Sequence, residues 1–361
     1  MKYTKNGKEI ELFFLSDEDI DSLDYRKFIN SDEFRKFMRC PDDDLHAIRK
    51  KKIEYYKSLY DFKILCVRVD GVIVGQSCAL KNYAMANGEK VDWWWGVDTY
   101  LMSACRGLGV GKNLQKVLHD SLPNFSSAWY TPINGIVKQK CGAHGIFDIW
   151  FNYYPVSSAI TVFGDLCFRK LFKRPIPLRL SATRFYSWLN GLFIDSKLKN
   201  YVITEIPYEE LDDSVSAFME SQLLKKDFHI IRSTNFLKWK YNSLKAGYHM
   251  LRFEKDGRTA AIISFSNIYD SGFDAAPIKG VTIYDHVIAD DCNITLKQLL
   301  LYVVRWYKVR NEKFDGFQML ERISYISRMC YPFQACPVLT TLKGNYPNSY
   351  LTFIDQDMDQ V

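Results

Sequence analysis

Apolar and polar positions alternate along this chain with two periods, one near two residues and one near 3.6, and the switches between them lay out the elements. Ile10 to Leu15 predicts a first strand, and Ser16-Asp17-Glu18-Asp19 reads as a helix start. Helical material follows to about Tyr60, broken at Cys40-Pro41, with Ile48, Ile53, Tyr56 and Leu59 inward on its second part. Phe62 to Val69 and Val72 to Leu80 are strands joined by Asp70-Gly71, a strong hairpin turn. A strand then runs from about Trp93 to Leu101. A helix from Val110 to about His119 follows, since Val110, Leu114, Val117 and Leu118 fall at i, i+4, i+7 and i+8, and Leu122-Pro123 stops it. Ala128 to Thr131 predicts a further strand, Asn134 to Cys141 a short helix, and Gly145 to Tyr154 another strand.

From Tyr201 the order begins again. Tyr201 to Ile206 is a strand, Asp212 to Leu224 a helix, and Tyr248 to Glu254 with Thr259 to Ser266 a hairpin turning at Lys255-Asp256-Gly257. Then come a strand (Val281 to Ile288), a helix (Thr295 to about Arg310) and a strand (Phe314 to Leu320). The order repeats without sequence identity, which predicts two related domains: 1–155, a connector over 156–200, and 201–361. The connector holds a basic, aromatic run from Phe168 to Arg179 and a helix over Ala182 to Phe193. It reads as an interdomain linker or as a contact for a membrane surface or anionic polymer.

The stretch between the Trp93–Leu101 strand and its following helix carries the candidate chemistry. Gly107, Gly109 and Gly111 lie in five residues, with Arg106 in front and Lys112 behind. Glycine lets consecutive N–H groups turn toward one point, and a helix N-terminus adds unpaired donors and partial positive charge. Together they make a cradle for a phosphate or pyrophosphate. A Walker loop is excluded because Lys112 is followed by Asn113, and the dinucleotide fingerprint fails on glycine spacing. At the matching junction of the second half, Ala289-Asp290-Asp291-Cys292-Asn293-Ile294-Thr295 has no glycine and two acids, so only the first domain is expected to hold an anion.

Arg106, Gly109 and Gly111 match Arg/Gln-x-x-Gly-x-Gly/Ala, and the stretch resembles the pyrophosphate loop of the GNAT acyltransferase superfamily over residues 65–120, more loosely to 155. The resemblance implies an α+β fold of two GNAT-like domains, each a mixed, mostly antiparallel twisted sheet flanked by helices. It implies acetyl-CoA or another acyl-CoA as acyl donor, held by Arg106, Gly107, Leu108, Gly109, Val110, Gly111 and Lys112. It also implies that strand backbone at Tyr100, Leu101 and Met102 pairs with the pantetheine arm, with N–H near Leu101 meeting the oxyanion. Arg232 to Tyr241 resembles the Arg-x-x-x-Tyr/Phe-Leu-x-Trp-Arg-Tyr pattern of tandem GNAT-like proteins, many from bacterial surface-polysaccharide clusters, with Lys240 where Arg is usual. Phe353 to Asp357 loosely matches their acidic end. The chain is also distantly like the tandem domains that transfer amino acids onto cell-wall precursors.

The family's base is a carboxylate on or near the central strand, which points to Asp98 or Asp92; by strand parity the two share a face. Asp98 is nearer the loop, and it also reads as a strand-end carboxylate. Counting back from Gly142-Ala143 puts Lys138 where the family often has a Tyr acid, a departure for which Cys141 and Tyr130 are weak stand-ins. Trp93 and Trp95 either line an acceptor pocket or cover one face of a central strand. Asp42-Asp43-Asp44 reads as a solvated helix start or as a wall recruiting an amine. Trp239 and Tyr241 read first as core.

Composition bounds the rest. The chain is 47% hydrophobic and 15% aromatic, with a formal charge of +6. That charge suits an anionic ligand and is too small to argue for nucleic acid. Nine scattered cysteines read as reduced thiols, and no histidine cluster indicates a metal. No apolar run reaches the ~18 residues of a membrane span, and the start lacks a signal core, so a cytoplasmic protein is expected. The leading reading is an acyl-CoA-dependent N-acyltransferase that acetylates a small-molecule amine on an amino sugar or nucleotide-sugar. Transfer of an aminoacyl or longer acyl group is a second reading, and a non-catalytic CoA-binding module a third.

Overall fold

A computed structural model describes residues 1–23, 33, 45–58, 61–128, 130–155, 193–244, 247–271, 278–314, 316–321, 331–352 and 355. The expected Asp42–Asp44 cluster and most of the connector lie outside these residues. The chain forms two compact units, Met1–Phe147 with Pro337–Pro347 and Asp148–Cys336 with Asn348–Met358.

In the first unit β1 (Lys2–Lys5) and β2 (Lys8–Phe14) form a hairpin over Asn6-Gly7. The short α1 (Asp17–Asp21) starts on Ser16, whose capping box with Asp19 explains the acidic cluster at that helix start. Then come α2 (Leu45–Lys57), β3 (Phe62–Val69), β4 (Val72–Ala86) and β5 (Glu89–Leu101). Asp70-Gly71 makes its turn at positive φ, as expected. A second such turn at Asn87-Gly88 extends β4 and β5 well beyond the expected ends. After the loop come α3 (Val110–Ser121), β6 (Phe125–Ser127) and α4 (Pro132–Lys140).

The strand expected at Ala128–Thr131 is displaced to β6. Thr131 is the N-cap of α4, accepting from the Asn134 N–H, so its segment leads into a helix. Ser126 and Ser127 are buried and hydrogen-bonded, which hides a core strand behind polar residues.

The second unit contains β7 (His144–Pro155), α5 (Ile194–Lys197), β8 (Val202–Glu205), α6 (Asp213–Leu223), β9 (Phe228–Ile230), α7 (Thr234–Leu244), β10 (Tyr248–Lys255), β11 (Arg258–Ser266), β12 (Tyr269–Ser271), β13 (Ile278–Ile288), α8 (Leu296–Val309), β14 (Gly316–Glu321), β15 (Tyr331–Thr340) and β16 (Ser349–Tyr350). Strand β7 starts in the first unit, and the end of β15 belongs to it.

Both units have one sheet pattern. In the first, β1 to β5 are antiparallel neighbours, β5 pairs with β6 in parallel, and β6 pairs antiparallel with the end of β15. In the second, β8, β10, β11 and β13 are antiparallel neighbours, β13 pairs with β14 in parallel, and β14 pairs antiparallel with β7. These are the two mixed, mostly antiparallel sheets that the sequence implied.

The two faces of the first sheet are covered by different helices. Trp94 packs with Val110, Leu114, Leu118 and Phe125, so its face meets α3. Phe62 pairs with Leu80 and Leu80 with Trp95, and Tyr56 of α2 stacks on Phe62 with centroids 5.2 Å apart, so this face meets α2.

Candidate functional site

The glycine loop lies at the start of α3. Gly107 and Gly109 both have φ of 75°, a left-handed conformation that glycine adopts without strain. Gly109 is the N-cap and offers no side chain to the helix. Leu108, Cys105 and Val110 are buried and pin the loop to the core, while Arg106, Gly107, Gly109 and Lys112 are exposed. The first N–H bonded back into the helix is that of Asn113, to the Gly109 carbonyl at 3.2 Å. Among the described residues no acceptor takes the N–H groups of Gly107, Gly109, Val110, Gly111 or Lys112. That is an anion cradle with its donors open. A cation that sequence reasoning missed stands beside it: Lys5 Nζ lies 3.5 Å from where a Cβ on Gly109 would sit. It comes from β1, an unforeseen strand whose Tyr3 hydroxyl also donates to the Leu108 carbonyl at 3.3 Å. The Asn6-Gly7 turn was the one signal for it.

Strand β5 leads into the loop and carries an irregularity. Gln76 pairs with Tyr100 but Cys78 pairs with Val97, so β5 holds one extra residue there, and Asp98 has φ of 49°. The bulge inverts the parity beyond it. Asp92 and Asp98 therefore do not share a face, contrary to the expectation. Asp92 lies on the Trp94 side and pairs with Lys81 Nζ at 3.0 Å. Asp98 turns to α2 and meets Lys52 Nζ at 3.4 Å, with both side chains mostly buried. Trp93, Trp95 and Tyr100 share the α2 face and are buried, the two indoles meeting edge to face at 5.5 Å. The Trp95 indole N–H has no partner among the described residues. Of the loop-proximal backbone, Met102 commits its N–H to the Val74 carbonyl at 2.9 Å.

β5 and β6 pair only through Trp94–Phe125 and Trp95–Ser126, after which β5 runs on to Leu101 and the strands part. On the α3 side of this opening sits Lys138. It is buried and donates to Ser127 Oγ at 2.7 Å and Gln115 Oε1 at 3.1 Å, and burial pulls its pKa down to about 7. The Tyr130 ring lies against Gly135 of α4, and burial raises the Cys141 thiol.

The second unit repeats the bulge but closes the rest. Ser264 pairs with Asp285 and Phe265 with Ile283, while β13 and β14 pair only as far as Ile283–Met319. Beyond that point Tyr350 of β16 meets the edge of β13: its hydroxyl donates to Asp285 Oδ1 at 2.6 Å, and the His286 N–H is shared between that carboxylate oxygen (2.9 Å) and the Tyr350 hydroxyl (3.3 Å). Arg232 holds this corner, fully buried between Asp285 (2.7 Å from Nε) and Asp355 (2.8 Å from Nη2). The two resemblance motifs, at Arg232 and at the acidic C-terminal end, thus meet in one ion cluster. Trp239 and Tyr241 are buried core residues, as read first. At the helix start of this unit Thr295 and Gln298 form a capping box, so that the N-terminal donors are used internally.

No family model and no curated protein matches this sequence. Solved structures do. A conserved protein of unknown function from Enterococcus faecalis V583, described as a probable N-acyltransferase, matches with TM-score 0.57 and 10% identity over 92% of this chain and 72% of its own. A GCN5-related N-acetyltransferase from Anabaena variabilis ATCC 29413 matches with TM-score 0.53 and 10% identity over the same shares. A tandem GNAT protein from the clavulanic acid biosynthesis pathway matches with TM-score 0.52 and 12% identity over 92% of this chain and 98% of its own. The fold is that of tandem GNAT proteins.

Proposed function

We propose that this protein is an acyl-CoA-dependent N-acyltransferase, and that the first unit carries the reaction. The observation that supports this most is the set of open N–H donors at Gly107 and from Gly109 to Lys112, with Lys5 Nζ beside Gly109, Arg106 and Lys112 exposed on the same stretch, and a bulged strand directly before it. These residues fit a pyrophosphate: the free donors run consecutively from Gly109 to Lys112 at a helix N-terminus, Lys5 Nζ lies beside them, and Gly107 and Gly109 bring no side chain to the loop. The parting of β5 and β6 gives an extended ligand a strand edge beside Tyr100 and Leu101. An acyl-CoA bound there supplies a thioester, whose acyl group an amine can take.

The chain's own residues would do the rest. Asp98 is the base for the amine, on the α2 face with Trp93 and Trp95; Asp92 is on the other face, and so Asp98 carries the proposal. Lys52 pairs with that carboxylate and orients it. The acceptor is a small amine, and an amino sugar, which stacks on indoles, is the first to try. The test is CoA release from acetyl-CoA with a panel of amines that includes glucosamine and nucleotide-linked amino sugars. Asp98→Asn should lower kcat about a hundredfold or more while acetyl-CoA affinity stays unchanged. Unchanged kcat in that variant would remove Asp98 from the reaction.

A further inference from the structure

The two adjacent serines of β6 are held in different ways. Ser126 Oγ lies between the Asn124 carbonyl (3.0 Å) and Thr340 Oγ1 (2.7 Å), which tie it into the sheet. Ser127 Oγ has one hydrogen-bond partner among the described residues, Lys138 Nζ at 2.7 Å. Lys138 is itself buried and is also held by Gln115 Oε1 at 3.1 Å. Both of its acceptors are neutral, whereas Lys52, Lys81 and Lys116 of this unit each meet an aspartate. A residue needed only to fill this space could be Leu or Met at lower cost.

A hydroxyl, a desolvated amine and an amide that orients the amine are the parts of a nucleophile, its base and a positioning group. Burial lets the amine act as a base near neutral pH, where an exposed lysine is an ammonium. A neutral Nζ carries a lone pair, to which the Ser127 hydroxyl can donate. The nearby His119 turns Nδ1 to the Cys141 carbonyl at 3.0 Å, and among the described residues it makes no hydrogen bond to Ser127. Gly96 sets the serine in place: a Cβ there would meet Phe125 Cζ at 2.6 Å and Ser127 Oγ at 3.0 Å. The glycine lets Ser127 stand against β5, one residue past the last β5–β6 pair, where the strands part. That is the edge along which an acyl-CoA arm would lie.

We propose that Ser127 is a nucleophile activated by Lys138, which takes the acyl group of an acyl-CoA as an ester and, when no amine is bound, gives it up to water. This is a second activity of the first unit, hydrolysis of acyl-CoA through an acyl-serine, and it rests on the acyl-CoA reading above. In the first step Ser127 Oγ forms a bond to the thioester carbonyl carbon, and its proton goes to Lys138 Nζ. The C–S bond breaks with its electron pair on sulfur. A thiol with pKa about 8.5 leaves readily as the thiolate. The thiolate takes a proton from solvent, and Lys138 yields its own to solvent. In the second step water adds to the ester carbonyl carbon while Lys138 takes its proton. The bond from that carbon to Oγ breaks with its pair on oxygen, and Lys138 returns the proton to Ser127. The sum is thioester plus water giving carboxylic acid plus thiol.

The test uses no amine. Full-length protein is mixed with acetyl-CoA, quenched in acid and digested, and the peptides are read by mass spectrometry. Ser127 is buried, so water reaches its ester slowly and the acyl group should accumulate. The expected result is an acetyl group on the Ser127 peptide, removed by hydroxylamine as an ester is and an amide is not, with release of CoA. Ser127→Ala should carry none, and Lys138→Met should acylate about a hundredfold more slowly. Calorimetry with acetyl-CoA checks that both variants keep the site, and the wild-type peptide map decides alone if either does not fold. Wild-type protein that binds acetyl-CoA yet carries no acetyl group on Ser127, or carries it on Lys138, overturns the proposal. Acylation of a folded Lys138→Met at the wild-type rate does so too. Wild-type protein that binds no acetyl-CoA would instead overturn the reading on which the proposal rests.

Discussion

Lys138 is a buried amine held by neutral acceptors, and its titration has a readable sign. Its pKa falls from that of an ordinary lysine to about 7 through burial, so between about pH 7 and 10 the unfolded chain binds a proton that the folded chain does not. Stability from this group therefore rises with pH across that window and is flat below it. The unfolding free energy of Lys138→Met minus that of wild type should fall by up to about 1.4 kcal/mol per pH unit from pH 7 to 9, measured in urea. Buried thiols such as Cys66, pushed up to about 12, and Cys105, pushed up to about 11, are common to both proteins and cancel in the difference. A difference constant with pH would mean that Lys138 stays charged in the fold. Sequence counting had already placed Lys138 on the helix where a tyrosine acid was expected. Its isolation was illegible, because Gln115 and Ser127 come from two other elements. The faces of Asp92 and Asp98 were misread for a similar reason: period-two parity holds only until a bulge, and a bulge at Asp98 leaves no mark in the pattern of apolar residues.

At the scale of elements, the two central strands β5 and β13 are bulged alike and treated differently. The edge of β5 beyond Trp95 leads to an open cradle, whereas the edge of β13 beyond Ile283 is met by Tyr350. The hydroxyl of Tyr350 replaces a ligand's hydrogen bonds with the chain's own. Tyr350→Phe removes one of the two acceptors of the His286 N–H, leaving Asp285 Oδ1 at 2.9 Å, and should speed amide exchange there by about two- to threefold while the β10–β11 hairpin amides stay protected. Equal exchange in both proteins would show that the tyrosine does not close that edge. Long, strongly patterned elements were legible: α3, α8 and the β3–β4 and β10–β11 hairpins fall within a residue or two of the expected bounds, apart from the C-terminal extension of β4 and two further residues at the end of α3. The misses were short or polar. β6 hid behind two buried serines, and β1, β9 and β16 have only two to four residues, too few to show a period.

For the whole molecule, the comparison of its two units is the argument. Each has an antiparallel run of strands, a parallel partner on its central strand and a helix following that strand. One helix starts on glycine with open donors; the other starts on a capping box behind Asp290 and Asp291. A tandem fold with one working cradle should bind one acyl-CoA per chain. The variant Gly109→Asp tests the cradle: the added carboxylate repels a pyrophosphate, a Cβ at Gly109 meets only Lys5 Nζ, at 3.5 Å, and because a side chain at φ of 75° is strained, circular dichroism checks that the variant folds. The most direct measurement is calorimetric titration of the full chain with acetyl-CoA, wild type beside Gly109→Asp. The expected result is one site per chain with roughly micromolar Kd (about −8 kcal/mol), lost in the variant. Two sites per chain, no binding by the wild type, or equal binding by both proteins would contradict the assignment of the first unit's glycine loop as the acyl-CoA site.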